Sequence, residues 1–418
     1  SAQSGGIQLG GGLKLSAKLK VEAGYDTNVT QATAGNETAG LGLTFSPGLL
    51  LSTPKPGSFA LTLGTGLNYT QYFGDASKQS DPQANVAASL RLNPNGDISV
   101  APFDTFTYST TPTIEANADR PNRKYNEAGL ELALHPGGIY SSSRLGLSGA
   151  VRGQYKTWTY SLNPDRDKTT VAGSLAAKLS FLPRTAGTFA ASVEKNAFES
   201  ADAKPTADSE AIPAIAATPI RVTIGGETLL SQSFEVRGAA GLILPMYEDD
   251  KVGNDPTPAV NVSATYFMNK RNKVMLSFDR DLSDMAQYNY VISNNIGLGF
   301  RYSERQISAS VRGSYGLRSY GNKVTEVLVN GAEVREVTET GSSDNLVGAD
   351  AGVSFAVSSM LNIGLRYRFQ QRSGDIGDIA GFDDSTGAVL VPDAVGDGGT
   401  FDVPAGLTQY EQQIALRE

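Results

Sequence analysis

The chain has 418 residues, with 46 glycines, 17 tyrosines, 16 phenylalanines, one histidine, no cysteine and a net charge of −8. The lack of cysteine excludes disulfide scaffolds, thiol catalysis and the usual zinc clusters. The acidic balance excludes a nucleic-acid partner unless the charge is segregated, and no run of about 18 apolar residues offers a transmembrane helix. No secretory leader is visible at Ser1, which leaves a cytosolic chain and a mature form both open.

From residue 13 onward the apolar side chains fall at every second position. Leu13, Leu15, Ala17, Leu19, Val21, Ala23 and Tyr25 alternate with Lys14, Ser16, Lys18, Lys20, Glu22 and Gly24. Successive side chains of a strand point to opposite faces, so this is a strand with one greasy side. Comparable runs follow at 39–52, 59–73, 84–92, 98–109, 125–134, 145–155, 169–181 and 188–198. The segment 219–247 reads as two membrane strands or as a hairpin outside the membrane. The second form resembles "VLVNGAEV" at 327–334, whose Asn330-Gly331 is a turn signal. Runs resume at 259–268, 273–281, 289–302, 307–317, 345–357, 361–372 and 409–417. No segment has a 3.6-residue period bounded by helix caps. The chain is expected to be all-β.

Connectors alternate in size. "NPNGD" (93–97), "SERQ" (303–306) and "SSM" (358–360) are short, while 110–124, 199–218, 318–344 and 372–408 are long and polar. Long strands joined alternately by tight turns and long loops predict a single transmembrane antiparallel up-and-down barrel. Short turns would be periplasmic and long loops extracellular, with residues 1–11 a periplasmic N-terminal segment. The count is 16 to 18 strands, with 18 favoured when 219–247 supplies two. A soluble sandwich also alternates, but its strands are usually five or six residues long. Tyr25, Phe73, Tyr108, Tyr160 and Tyr320, beside the loops, are expected to form an aromatic girdle.

If the apolar series faces lipid, the opposite series faces the lumen. The bases on that side are Lys14, Lys18, Lys20, Arg144, Arg152, Lys156, Lys178, Arg237, Arg301, Arg312, Arg318, Arg366, Arg368 and Arg372. The acids read there are fewer: Glu22, Asp104, Glu131, Glu194, Glu235, Asp279, Asp281, Asp350 and Glu411. A net basic lumen in a low-dielectric wall concentrates anions. In a second reading, interior Arg–Glu and Lys–Asp ladders simply satisfy one another. That reading accounts least well for Arg312, Arg318, Arg366, Arg368 and Arg372.

Catalysis finds little support. The single histidine, His135, reads as a turn residue in "LHPGGIY", and the Asp279/Asp281 and Asp383/Asp384 pairs lack a shaped pocket. The acidic loop 373–384 offers oxygen ligands for Ca²⁺ without EF-hand spacing and reads as a solvated loop. No enzyme activity, metal or other cofactor is expected. Ile212, Ile215 and Ile220 are unusually apolar for a solvent loop and read as a packed lid or partner contact.

The motif "AGYDTNV" (23–29), with Tyr25, Asp26, Asn28 and Val29, closes the first strand. Together with the basic lumen positions it resembles the outer-membrane beta-barrel porin 2 group, which is associated with exopolysaccharide secretion. On the residues alone, Asp26 and Asn28 also read as an Asx turn at the loop entry. The resemblance implies a passive outer-membrane conduit for a polymer, fed by periplasmic export proteins. Expected partners are therefore outer-membrane lipid and lipopolysaccharide, a polysaccharide or an anionic solute, and those export proteins, with no nucleic acid. A diffusion porin or uptake channel for small anions, and a structural or adhesive surface barrel, are the alternatives. The chain stops at "IALRE" rather than at the terminal aromatic residue common in such barrels.

Overall fold

The computed structural model describes residues 6–27, 29, 38–55, 57–77, 80–110, 123–136, 146–160, 167–182, 184–198, 216–248, 254–285, 289–321, 323–329, 332–338, 342–358 and 360–374. The regular elements among these residues are strands apart from two single 3-10 turns, at Gly10–Gly12 and Gly74–Ala76. No helix among them is long and apolar enough to cross a membrane. The strands are β1 (Ile7–Gln8), β2 (Lys14–Asp26), β3 (Gly40–Ser52), β4 (Phe59–Phe73), β5 (Ser80–Leu92), β6 (Ile98–Ser109), β7 (Arg123–Leu134), β8 (Gly146–Tyr160), β9 (Lys168–Leu182) and β10 (Thr185–Phe198). They continue as β11 (Ile220–Ser231), β12 (Phe234–Leu244), β13 (Thr257–Phe267), β14 (Asn272–Met285), β15 (Asn289–Glu304), β16 (Ile307–Tyr320), β17 (Lys323–Val329), β18 (Ala332–Thr338), β19 (Ser343–Ala356) and β20 (Leu361–Gly374).

Every alternating run that falls within these residues is a strand. The ambiguous segment 219–247 resolves into the wall strands β11 and β12, paired from Ile220↔Leu244 to Ser231↔Phe234. Ile220 is thus a strand residue, while Ile212 and Ile215 lie outside the described residues, as does the run 409–417. On either side of Asn330-Gly331, which lie outside the described residues, β17 and β18 pair as a separate two-stranded sheet.

The main sheet has eighteen strands. Seventeen of them form a closed wall, β2 to β16 followed by β19 and β20, and the eighteenth is β1. An odd number of alternating strands leaves the first and last running the same way. The closing pair, from Leu19↔Leu361 to Asp26↔Arg368, is accordingly parallel. This corrects the expectation of an antiparallel barrel at that one seam. Because β3 occupies one edge of β2 along its whole length, β1 shares the other edge with β20, through Ile7↔Leu15 and Gln8↔Lys14.

Ladder partners directly opposite one another share a face, so exposed leucines fix inside and outside around the wall. Leu365, Ile224, Val171 and Leu298 are 66%, 70%, 58% and 56% exposed on the outer face. An apolar exterior this extensive does not suit a monomer in water. It suits hydrocarbon, where closure is required because every backbone N–H and C=O must be paired. Tyr25, Phe73 and Tyr108 lie on the outer face. Tyr320 does not: it is on the inward series of β16, buried at 6% exposure, because the strand continues two residues past Arg318 on the same face. The side chain of Tyr160 lies outside the described residues.

The wall is interrupted between β13 and β14. The β13–β14 ladder ends at Val260↔Arg280, although β12–β13 runs on to Ile243↔Thr257 and β14–β15 continues past Leu282↔Ile292.

Candidate functional site

The inward face of β16, β19 and β20 carries the arginine cluster. Arg318 grips Asp344 with both fork atoms, Nε to Oδ1 at 2.8 Å and Nη2 to Oδ2 at 2.9 Å. Arg372 Nε donates to the same carboxylate at 2.5 Å. The Asp344 side chain is wholly shielded from solvent. A second knot lies toward the middle of the wall, where Arg366 Nε donates to Asp350 Oδ2 at 2.7 Å. Arg368 sits between Asp350 at 4.0 Å and Asp26 at 3.9 Å. The intervening strand β19 therefore supplies the acids that neutralise much of the cluster.

The rest of the inner wall is laced in the same way. Lys20 pairs with Glu22 at 2.8 Å, Arg91 with Glu131 at 2.6 Å, Lys156 with Glu194 at 3.5 Å and Arg237 with Glu235 at 2.5 Å. Lys178 pairs with Glu227. Arg152 donates to Glu127 at 2.7 Å and lies 4.0 Å from the centre of the Phe103 ring, a cation–π contact. Arg144 and Glu411 lie outside the described residues. Glu127, Glu227 and Asp344 are inward acids that the sequence reading passed over. Glu127 was recoverable, since it shares the parity of Glu131 on one strand.

Three of the inward cations expected from the sequence stand apart. Lys18, Arg301 and Arg312 make no ion pair or hydrogen bond among the described residues. Arg312 is directly opposite Asp350 in register, but that carboxylate is engaged by Arg366. Arg312 extends instead over Gly297, where a Cβ would lie 3.6 Å from its Nη2. Lys14 is also inward and is partnered. Gly24, Gly42 and Gly64 interrupt the inner face of β2, β3 and β4, whose other inward residues include Lys18, Glu22, Thr44 and Thr70.

The "AGYDTNV" residues lie at the parallel seam. Tyr25 stacks on Tyr367 outside, and Asp26 approaches Arg368 inside. Thr27 N–H donates to Arg368 O at 3.3 Å, and Val29 is 4% exposed with its N–H donating to Thr38 O. Asn28 lies outside the described residues. Residues 23–27 of the motif hold β2 and β20 together.

One expected lumen acid is misplaced. Asp104 shares the outer face with Phe106 and is exposed, because β6 puts Phe103 and Thr105 inside. With its amide turned to donate, Asn126 on the same face reaches Asp104 Oδ1 at 3.3 Å. Asp279 and Asp281 do face inward, but each is occupied. Asp279 accepts from Asn261 Nδ2 at 3.1 Å, and Asp281 accepts from Arg221 Nη2 at 2.6 Å. His135 follows β7 directly, with its N–H on Asp97 O at 2.8 Å. Burial, reinforced by the Arg91 guanidinium, pushes its pKa below the usual histidine value. No group of three His, Cys, Asp or Glu among the described residues could hold a metal ion.

No family model matches the chain, and no curated protein matches it. Solved structures do. The siderophore receptor PirA from Pseudomonas aeruginosa is 12% identical with a TM-score of 0.46, over 86% of this chain and 65% of that one. The FrpB iron transporter from Neisseria meningitidis is 11% identical with a TM-score of 0.47, over 84% and 60%. The copper transporter OprC is 10% identical with a TM-score of 0.47, over 88% and 62%. The match thus spans less than two thirds of each of these chains.

Proposed function

We propose that this protein is an integral outer-membrane channel that exports an anionic polysaccharide. The observation that carries the reading is the set of inward cations without a counter-charge among the described residues, Lys18, Arg301 and Arg312. Barrels of 16 to 18 strands leave an aqueous channel, and unpaired cations in such a channel raise the local concentration of anions. Arg318, Arg366 and Arg372 are already bound to carboxylates, so they exchange partners with a passing uronate or sulfate rather than trap it. Arginine forks suit both groups. The motif that resembles the beta-barrel porin 2 group supports the same reading.

Deleting the protein tests the proposal. Loss of surface polymer with normal uptake of small anions supports export. Normal surface polymer with impaired anion uptake contradicts it and favours the second reading, a diffusion channel for small anionic solutes, which rests on the same three cations.

A further inference from the structure

Arg221 of β11 and Asp281 of β14 face the lumen from strands that two others separate. At about 4.8 Å per strand the wall distance between them is roughly 14 Å. Yet Arg221 Nη2 lies 2.6 Å from Asp281 Oδ1. The apolar side chains above this pair explain how. Leu282, Tyr290 and Ile292 have the parity of Leu276, Ile296 and Leu298, which are exposed on the outer face. Leu282 is nevertheless only 4% exposed and clusters with Ile243 and Ala259, inward residues of β12 and β13, and Tyr290 and Ile292 pack against the same cluster. Tyr290 also stacks on Tyr247, ring centres 6.3 Å apart. An outward face can meet an inward face only if one part of the wall lies inside the other.

The upper parts of β14 and β15 therefore overlap the inner surface of β12 and β13, beginning where the β13–β14 ladder ends at Val260↔Arg280. Pro258 lies at the interruption and has no N–H to offer a ladder. We propose that this overlap is the constriction that sets the size of what the channel passes, with the Arg221–Asp281 pair as its clasp and Ile243, Ala259 and Leu282 as its apolar seat. The inference rests on the transport reading above and names the element that limits it.

The protein has no cysteine of its own, so a pair can be introduced cleanly. In proteoliposomes of the full chain, Ala259→Cys with Leu282→Cys is expected to cross-link on mild oxidation, and the oxidised protein to conduct like the wild type. Failure to cross-link in a protein that still shows the heat-modifiable migration of a folded barrel overturns the overlap. A second variant, Arg221→Ala with Leu282→Ala, is expected to show higher single-channel conductance and to admit larger neutral polyethylene glycols. Wild-type conductance and size limit in that variant overturn the constriction while leaving transport intact. If neither protein conducts, the transport reading fails and the constriction fails with it.

Discussion

Tyr25 and Tyr367 stand directly opposite each other across the parallel seam, rings 6.3 Å apart and 4° from coplanar orientation. The seam is the one place where the wall is closed by strands from opposite ends of the fold. Parallel pairing is slightly weaker per residue than antiparallel pairing. The stack and the Asp26–Arg368 approach behind it offset that weakness. Tyr25→Ala should therefore cost about 1 kcal/mol, the scale of an aromatic pair. The temperature at which the folded band is lost in gel-shift assays should fall, and Tyr25→Phe should restore it.

Asp344 holds two arginines at once and is fully shielded. Removing one member of a buried ionic group leaves the others uncompensated, at a cost on the order of 3 kcal/mol. Asp344→Asn should destabilise the barrel by that order in urea unfolding. Combining it with Arg318→Met should recover part of the loss.

Asp104 puts a carboxylate on the outer face near the middle of β6. Carboxylates on a lipid face are destabilising, less so than the 2–4 kcal/mol typical of lysine or arginine. Asp104→Leu should raise stability by about 1 kcal/mol in lipid vesicles. A neutral or harmful effect there would place β6 against something other than lipid.

His135 gives a pH dependence of defined sign. Its folded pKa is lowered, so below the ordinary value near 6.5 the unfolded chain binds more protons than the folded one. Its contribution is undiminished above that value and is lost as pH falls toward the folded pKa. Between about pH 7 and pH 5 the wild type should lose stability relative to His135→Gln. Parallel unfolding curves for the two proteins would contradict this.

The strands were readable because one face meets an apolar medium and period-2 patterning has no competitor. The two halves of 219–247 were ambiguous, since Gly225-Gly226 mimics a turn while both glycines in fact sit mid-strand. Side-chain parity placed Lys18, Arg152, Arg312 and Arg366 inside, but parity alone cannot say who neutralises whom. Asp344 fell one residue before the run read at 345–357 and so escaped notice, although it organises the arginine cluster. The parallel seam depends on pairing between the two ends of the fold. The overlap depends on an interrupted ladder. Neither leaves a local pattern in the sequence.

The most direct measurement is the reversal potential of single channels under a salt gradient. Lys18, Arg301 and Arg312 have no carboxylate partner among the described residues, so the wild-type channel should select anions, more strongly at low ionic strength where screening is weak. Replacing all three by serine should abolish most of that selectivity. A wild-type channel that selects cations would contradict the account.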